Sequence, residues 1–159
     1  MINRNYIGVT VRRKSKTNLK GLLLLYEKNF NLLKEIIPKI KSDRNFSFLL
    51  PEGIDNSRVD INLFKESQYT SKIEIEQKSS YLKNITEVRF EVFVYHDVRM
   101  AEVRKFNGKQ LFWARNKYPN KNMFHKDEKY QWNKFLLEWL KFSKKEGLSR
   151  KIYIFNALK

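Results

Sequence analysis

From Leu19 onward, apolar residues return every three or four positions: Leu19, Leu22, Leu23, Tyr26, Phe30, Leu33, Ile37 and Ile40. A period near 3.6 predicts an amphipathic helix from about Asn18. Thr17 or Asn18 is its candidate cap, since either side chain can accept a backbone N–H bond. Pro38 disfavours helical geometry at Ile37, so the helix should end or kink there. Beyond it the period falls to two. Phe46–Leu50 is a short apolar run closed by Pro51-Glu52-Gly53. Val59, Ile61 and Leu63 then alternate with Asp60, Asn62 and Phe64, and Ile73 and Ile75 alternate with Lys72, Glu74 and Glu76. From Glu87 to Tyr95, Val88, Phe90, Val92 and Val94 stand on one face, opposite Glu87, Arg89 and Glu91. One apolar and one polar face describe an antiparallel sheet covered on one side.

Asn107-Gly108 is the strongest turn signal, because both residue types tolerate the positive φ of a type I′ hairpin. It should join a strand near Arg99–Phe106 to one near Lys109–Arg115. That register opposes Phe106 to Lys109, Arg104 to Leu111 and Glu102 to Trp113. Two readings stand just upstream: a turn between strands, or one long strand bent by a bulge near His96-Asp97. A loop, Asn116–Lys126, leads to a last helix with the stripe Trp132, Phe135, Leu136, Trp139 and Leu140. Asp127 and Glu128 suit its positive N-terminal end; Lys144, Lys145 and Gly147 suit its finish. Ile152–Phe155 is an extra strand or a tail. The expected fold is α+β: an antiparallel sheet of five or six strands flanked by an N-terminal and a C-terminal helix, both on one sheet face. Residues 1–17 read as a basic arm, 18–147 as a single domain and 148–159 as a C-terminal tail or extra strand.

Charge changes this picture most. The chain carries 33 Lys/Arg against 17 Asp/Glu, a net +16 over 159 residues. Residues 1–20 hold six basic residues and no acid, residues 104–126 hold seven and no acid, and residues 141–159 hold six and one Glu. Such concentrations attract phosphate backbones and other anionic surfaces. The candidate polyanion contacts are Arg12, Arg13, Lys14, Lys16, Arg104, Lys109, Arg115, Lys117 and Lys121. In the internal stretch the bases interleave with Phe106, Phe112, Trp113, Tyr118 and Phe124, as in proteins that hold single strands by stacking and charge. A hairpin with aromatics inside and lysines outside is the competing structural account. The longest apolar run, Leu22–Tyr26, is far below the roughly 20 residues a membrane helix needs. The N-terminus has no apolar stretch before a cleavage site, so cytoplasm is the expected location.

Candidate chemistry is sparse. Cys is absent, and the two His, His96 and His125, have no acid or His partner at a metal-binding spacing. No metal site and no cofactor is expected. No nucleophile elbow, Walker loop or dinucleotide-binding glycine motif is present. One polar region stands out. Tyr95, His96 and Asp97 lie where a strand bends, and Glu102 follows. Asp127, Glu128 and Gln131 open the last helix, with Glu128 four before Trp132 and Gln131 four before Phe135. That spacing puts both towards the sheet edge or the Tyr118–Lys126 loop, where Tyr118, Asn120 and Lys121 join the ligand-binding candidates. They either line a pocket or tie the loop down.

Four segments carry a resemblance. They are Tyr26-Glu27-Lys28-Asn29-Phe30 with Leu33 and Ile37-Pro38; Glu66-Ser67, Tyr69-Thr70 and Ile75-Glu76-Gln77; Val94-Tyr95-His96-Asp97 with Met100-Ala101-Glu102-Val103; and Tyr118-Pro119-Asn120-Lys121 with Asp127-Glu128-Lys129, Gln131, Asn133, Phe135-Leu136 and Glu138-Trp139-Leu140. In this order they resemble the YqiB-like family, also called domain of unknown function 1249, over roughly residues 18–147. The resemblance implies a soluble bacterial protein and carries no activity with it. The leading expectation is a non-enzymatic binding protein whose basic surface meets an acidic partner such as nucleic acid. The alternatives are a small enzyme or ligand-binding domain near Tyr95-His96-Asp97 and the start of the last helix, and a protein-interaction module using exposed aromatics.

Overall fold

The computed structural model describes residues 19–37, 40, 44–52, 55–79, 86–110 and 127–147. The arm over 1–17, the caps Thr17 and Asn18, the loop before the last helix and the Ile152–Phe155 segment lie outside the described residues. Helix α1 spans Leu19–Ile36, and its final N–H bond runs from Ile37 to the Leu33 carbonyl. It ends immediately before the Pro38 boundary, as the steric rule requires. Six strands follow: β1 Arg44–Glu52, β2 Asp55–Lys65, β3 Thr70–Lys78, β4 Thr86–Tyr95, β5 Met100–Phe106 and β6 Lys109–Gln110. Helix α2 spans Glu128–Phe142 and runs into a single π-helical turn, Ser143–Gly147.

The strands form one antiparallel sheet whose spatial order is their sequence order. Each joins its predecessor as a hairpin, so every pairing is local. Alternation decides the faces. Val59, Ile61 and Leu63 of β2 stand beside Ile73 and Ile75 of β3 and Phe90, Val92 and Val94 of β4, all fully or almost fully buried. Both helices cover this face, contributing Phe30, Leu33, Ile36, Trp132, Leu136, Trp139 and Leu140 to one continuous core. The opposite face carries ion pairs. Arg58 and Lys78 flank Asp60 at 2.7 and 3.1 Å, Arg89 reaches Glu76 at 2.8 Å, and Lys105 reaches Glu91 at 3.1 Å.

The structure decides between open alternatives and alters some details. His96–Arg99 is a turn between two strands, with Arg99 at φ 57, rather than a bend in one strand. The bulge falls later: Glu91 pairs with Lys105 and Val92 with Val103, leaving Arg104 as the extra residue. Asn107 and Gly108 have φ 47 and 78, as the two-residue turn demands, and Phe106 pairs with Lys109. Leu111 and Trp113, the expected partners of Arg104 and Glu102, lie outside the described residues. The helical stripe predicts Leu19 and Leu23 on the buried face of α1, but both are exposed. The buried face instead runs through Leu25, Tyr26, Asn29, Phe30, Leu33 and Ile36.

Candidate functional site

The polar region near Tyr95 resolves into a hub around Glu102. Glu102 stands on β5 beside Phe93 of β4, and the residue is 8% exposed. Lys129, one residue into α2, brings its ammonium to 2.9 Å from Oε2. The Tyr95 hydroxyl donates to Oε1 at 2.9 Å, and Arg104 Nε donates to the same oxygen at 3.3 Å. Arg104 also donates to the Tyr95 hydroxyl at 2.7 Å, with its guanidinium 4.2 Å from the centre of the Phe93 ring. The β5 bulge explains this last geometry, since an extra residue re-aims the side chain beside it.

Tyr26 of α1 completes the hub. Its hydroxyl is buried and makes no hydrogen bond among the described residues, while Lys129 lies 5.8 Å from its ring centre. Burial and then the Glu102 charge hold the Tyr26 phenol well above its usual range. Burial also raises Tyr95, assisted by Glu102 and opposed by Arg104. For Glu102 itself burial pushes upward, but the hydrogen bond and charge of Lys129, then Tyr95 and Arg104, outweigh it and hold the carboxyl below its usual range. The hub therefore contains an ionised carboxylate filled by protein donors.

A second polar pair lies directly beneath. Among the described residues β6 pairs only with Lys105 and Phe106, so the Val103 N–H on the β5 edge needs another acceptor. Asn133 of α2 supplies it, its Oδ1 accepting at 3.0 Å. Asn133 Nδ2 donates to the Lys129 carbonyl at 2.8 Å, and Asn29 of α1 donates to the Asn133 carbonyl at 3.2 Å. Both asparagines are fully buried. The two helices and the sheet edge are thus tied by one polar seam.

The other candidates separate. Tyr95 and His96 leave the chain on opposite sheet faces: the His96 ring nitrogen Nε2 sits 2.8 Å from Ser71 Oγ, and Phe30 meets the ring edge-on at 6.4 Å. Asp97 is exposed on the turn. Asp127 occupies the cap position of α2 without a side-chain cap bond. Glu128 has Oε2 buried and unpartnered among the described residues. Gln131, expected towards the sheet edge or the Tyr118–Lys126 loop, is exposed, and Phe135 on the same side is 42% exposed; that loop lies outside the described residues. The reason is rotation: α2 buries Trp132, Asn133, Leu136, Leu137, Trp139 and Leu140, which leaves that side at the margin. Lys109 is exposed at the hairpin tip. Arg12, Arg13, Lys14, Lys16, Arg115, Lys117, Tyr118, Asn120 and Lys121 lie outside the described residues.

Sequence reasoning had named Tyr95, Glu102 and Arg104 but not Tyr26, Asn29, Lys129 or Asn133. The available signal was an asparagine inside the apolar stripe of each helix. Tyr26, Asn29, Tyr95, Glu102, Lys129 and Asn133 all stand in the segments that carried the family resemblance, and the fold brings them together. Among the described residues no group of three His, Asp or Glu could hold a metal ion. An open depression of about 470 Å³ is lined by Leu19, Lys20, Leu23, Leu24, Glu27 and Met100. No helix among the described residues is long and apolar enough to cross a membrane.

Fold and hub together define a small α+β domain, a meandering sheet with two helices locked to one face and one edge. Comparison gives the family: the chain belongs to the one described as protein of unknown function (DUF1249), whose model matches residues 32–149. The uncharacterized protein YqiB of Escherichia coli is 29% identical over 126 residues, covering 79% of this chain and 88% of the relative, in strain K12 and equally in strains O6:H1 and O157:H7. No solved structure matches the chain.

Proposed function

We propose that this protein is a non-enzymatic binder of polyanions, with nucleic acid the principal partner, acting in the cytoplasm. The observation that carries the reading is a partition of charge. Residues 1–20 hold six Lys/Arg and no acid, and residues 104–126 hold seven and no acid, in a chain of net +16. Acids of the open sheet face are matched by neighbouring bases, so the scaffold offers little field of its own. The excess is concentrated in these stretches of sequence, led by Arg12, Arg13, Lys14, Lys16, Arg115, Lys117 and Lys121, with Lys109 exposed beside them in sequence. Dense cationic segments suit contact with phosphates, where each contact releases condensed counterions. A catalytic role for the hub has less behind it, because protein donors already engage both oxygens of Glu102.

The test is titration of the full chain with single-stranded DNA, duplex DNA, RNA and heparin across salt concentrations. Affinity should fall by about 0.9 log units per contact per log unit of salt on duplex DNA. Replacing Arg12, Arg13, Lys14 and Lys16 together by Gln should weaken binding and flatten that slope, with the thermal melt unchanged. Negligible binding to every polyanion at physiological salt would overturn the reading.

A further inference from the structure

Among the described residues β1 has a neighbour on one side only. Its sequence, RNFSFLLPE, holds no charge between Arg44 and Glu52. Proteins blunt free edges with lysines, inward charges or bulges, and the pairing of β1 with β2 runs without a register shift from Arg44 to Glu52. Pro51, near one end, is the only such device in the strand. A smooth, uncharged edge of this length is a template for another strand.

The direction of its main-chain groups can be read. Ser57 of β2 donates its hydroxyl to the Leu50 carbonyl at 3.4 Å, so Leu50 faces β2. Main-chain groups alternate sides along a strand, which turns positions 45, 47, 49 and 51 to the open edge. Pro51 agrees, since a strand proline stands where its missing N–H faces away from the ladder.

We infer that this edge pairs with β1 of a second copy of the chain, antiparallel and centred on Phe48, to form a two-fold dimer with one continuous sheet. The strand is complementary to its own reverse. Position 44, an arginine, falls opposite position 52, a glutamate, and the symmetry gives that pairing twice. Ser47 falls opposite Leu49, both edge-facing, so they exchange main-chain hydrogen bonds. On the core face Phe46 meets Leu50 and Phe48 meets itself, which joins the two cores. Leu49, 42% exposed in a single copy, gains a cross-strand neighbour. Opposite charges at both ends select this register, because a slip by two residues separates them.

Sedimentation equilibrium on the full chain at 0.5 M salt, free of nucleic acid, tests this independently of polyanion binding. The chain should be a dimer. Leu49→Pro, which removes an edge-facing N–H and no bond to β2, should weaken the dimer on the order of a hundredfold. Arg44→Glu should weaken it about tenfold by opposing like charges, and Arg44→Glu combined with Glu52→Arg should restore it. The charge variants keep the test open if Leu49→Pro fails to fold. Amide exchange at Ser47 and Leu49 should slow as concentration rises. A monomer at all concentrations would overturn the inference, as would a dimer indifferent to these substitutions. Protection at Ser47 and Leu49 independent of concentration would assign the edge to other residues of the same chain and equally overturn it.

Discussion

A buried carboxylate costs several kcal/mol in desolvation unless donors replace its water. Glu102 meets that condition with Lys129, Tyr95 and Arg104, so the charge stays and its pKa falls below the usual range. Glu102→Gln keeps the shape but leaves Lys129 without its counterion; we expect a loss on the order of 3 kcal/mol at neutral pH. The sign with pH follows from the depressed pKa. Stability from Glu102 is complete above its unfolded pKa of about 4.3 and drains away as pH falls through the lower folded value. Urea midpoints of the natural protein and Glu102→Gln should therefore differ most near neutrality and converge in acid. A gap that persists at the lowest pH would mean that packing, not charge, carries the effect.

At the level of elements, the same logic separates what the sequence told from what it withheld. Strands were legible because period two assigns each residue to a face, and Ile73, Ile75, Phe90, Val92 and Val94 are buried as that period demands. The turn at Asn107-Gly108 was legible because φ restricts residue type locally. The hub was legible only in pieces. Burial of Glu102 depends on Lys129 and Tyr26 reaching it from two helices, and nothing local to β5 encodes that. Asn29 interrupts an apolar stripe, and its partner is 104 residues away. The rotation of α2 has no local signature for a similar reason: the helical period is satisfied with Phe135 central or marginal, and contact with the sheet decides. Trp139 was placed correctly. Its ring lies 6.0 Å from Phe90 and 6.4 Å from Phe48, and its indole N–H donates to Gln77 Oε1 at 2.8 Å. Trp139→Ala should cost about 3–5 kcal/mol in chemical denaturation, from lost area, a cavity and an orphaned amide. Trp139→Phe should cost less, since it restores most of the area and loses the hydrogen bond. Equal losses for both would show that the Gln77 bond dominates.

Across the whole molecule, the polar seam between Asn29 and Asn133 sets an order of events. Among the described residues every strand pairing joins neighbours in sequence, so the sheet can zip by hairpins that each close a short loop. The seam joins residues 104 apart, and its loop is cheap to close only after the sheet has drawn the ends together. Native contacts at the seam should then be absent from the folding transition state, while those of the hairpins are present. Stopped-flow measurements on Asn133→Leu should show faster unfolding with a nearly unchanged folding rate. Gly108→Val, which strains the local turn, should slow folding instead. If Asn133→Leu slowed folding as much, the helices would have to meet before the sheet is built. With the seam closing last, it is also the first contact to open. The lifetime of the folded protein, and not only its equilibrium stability, is then governed by two asparagines and the edge amide that Asn133 satisfies.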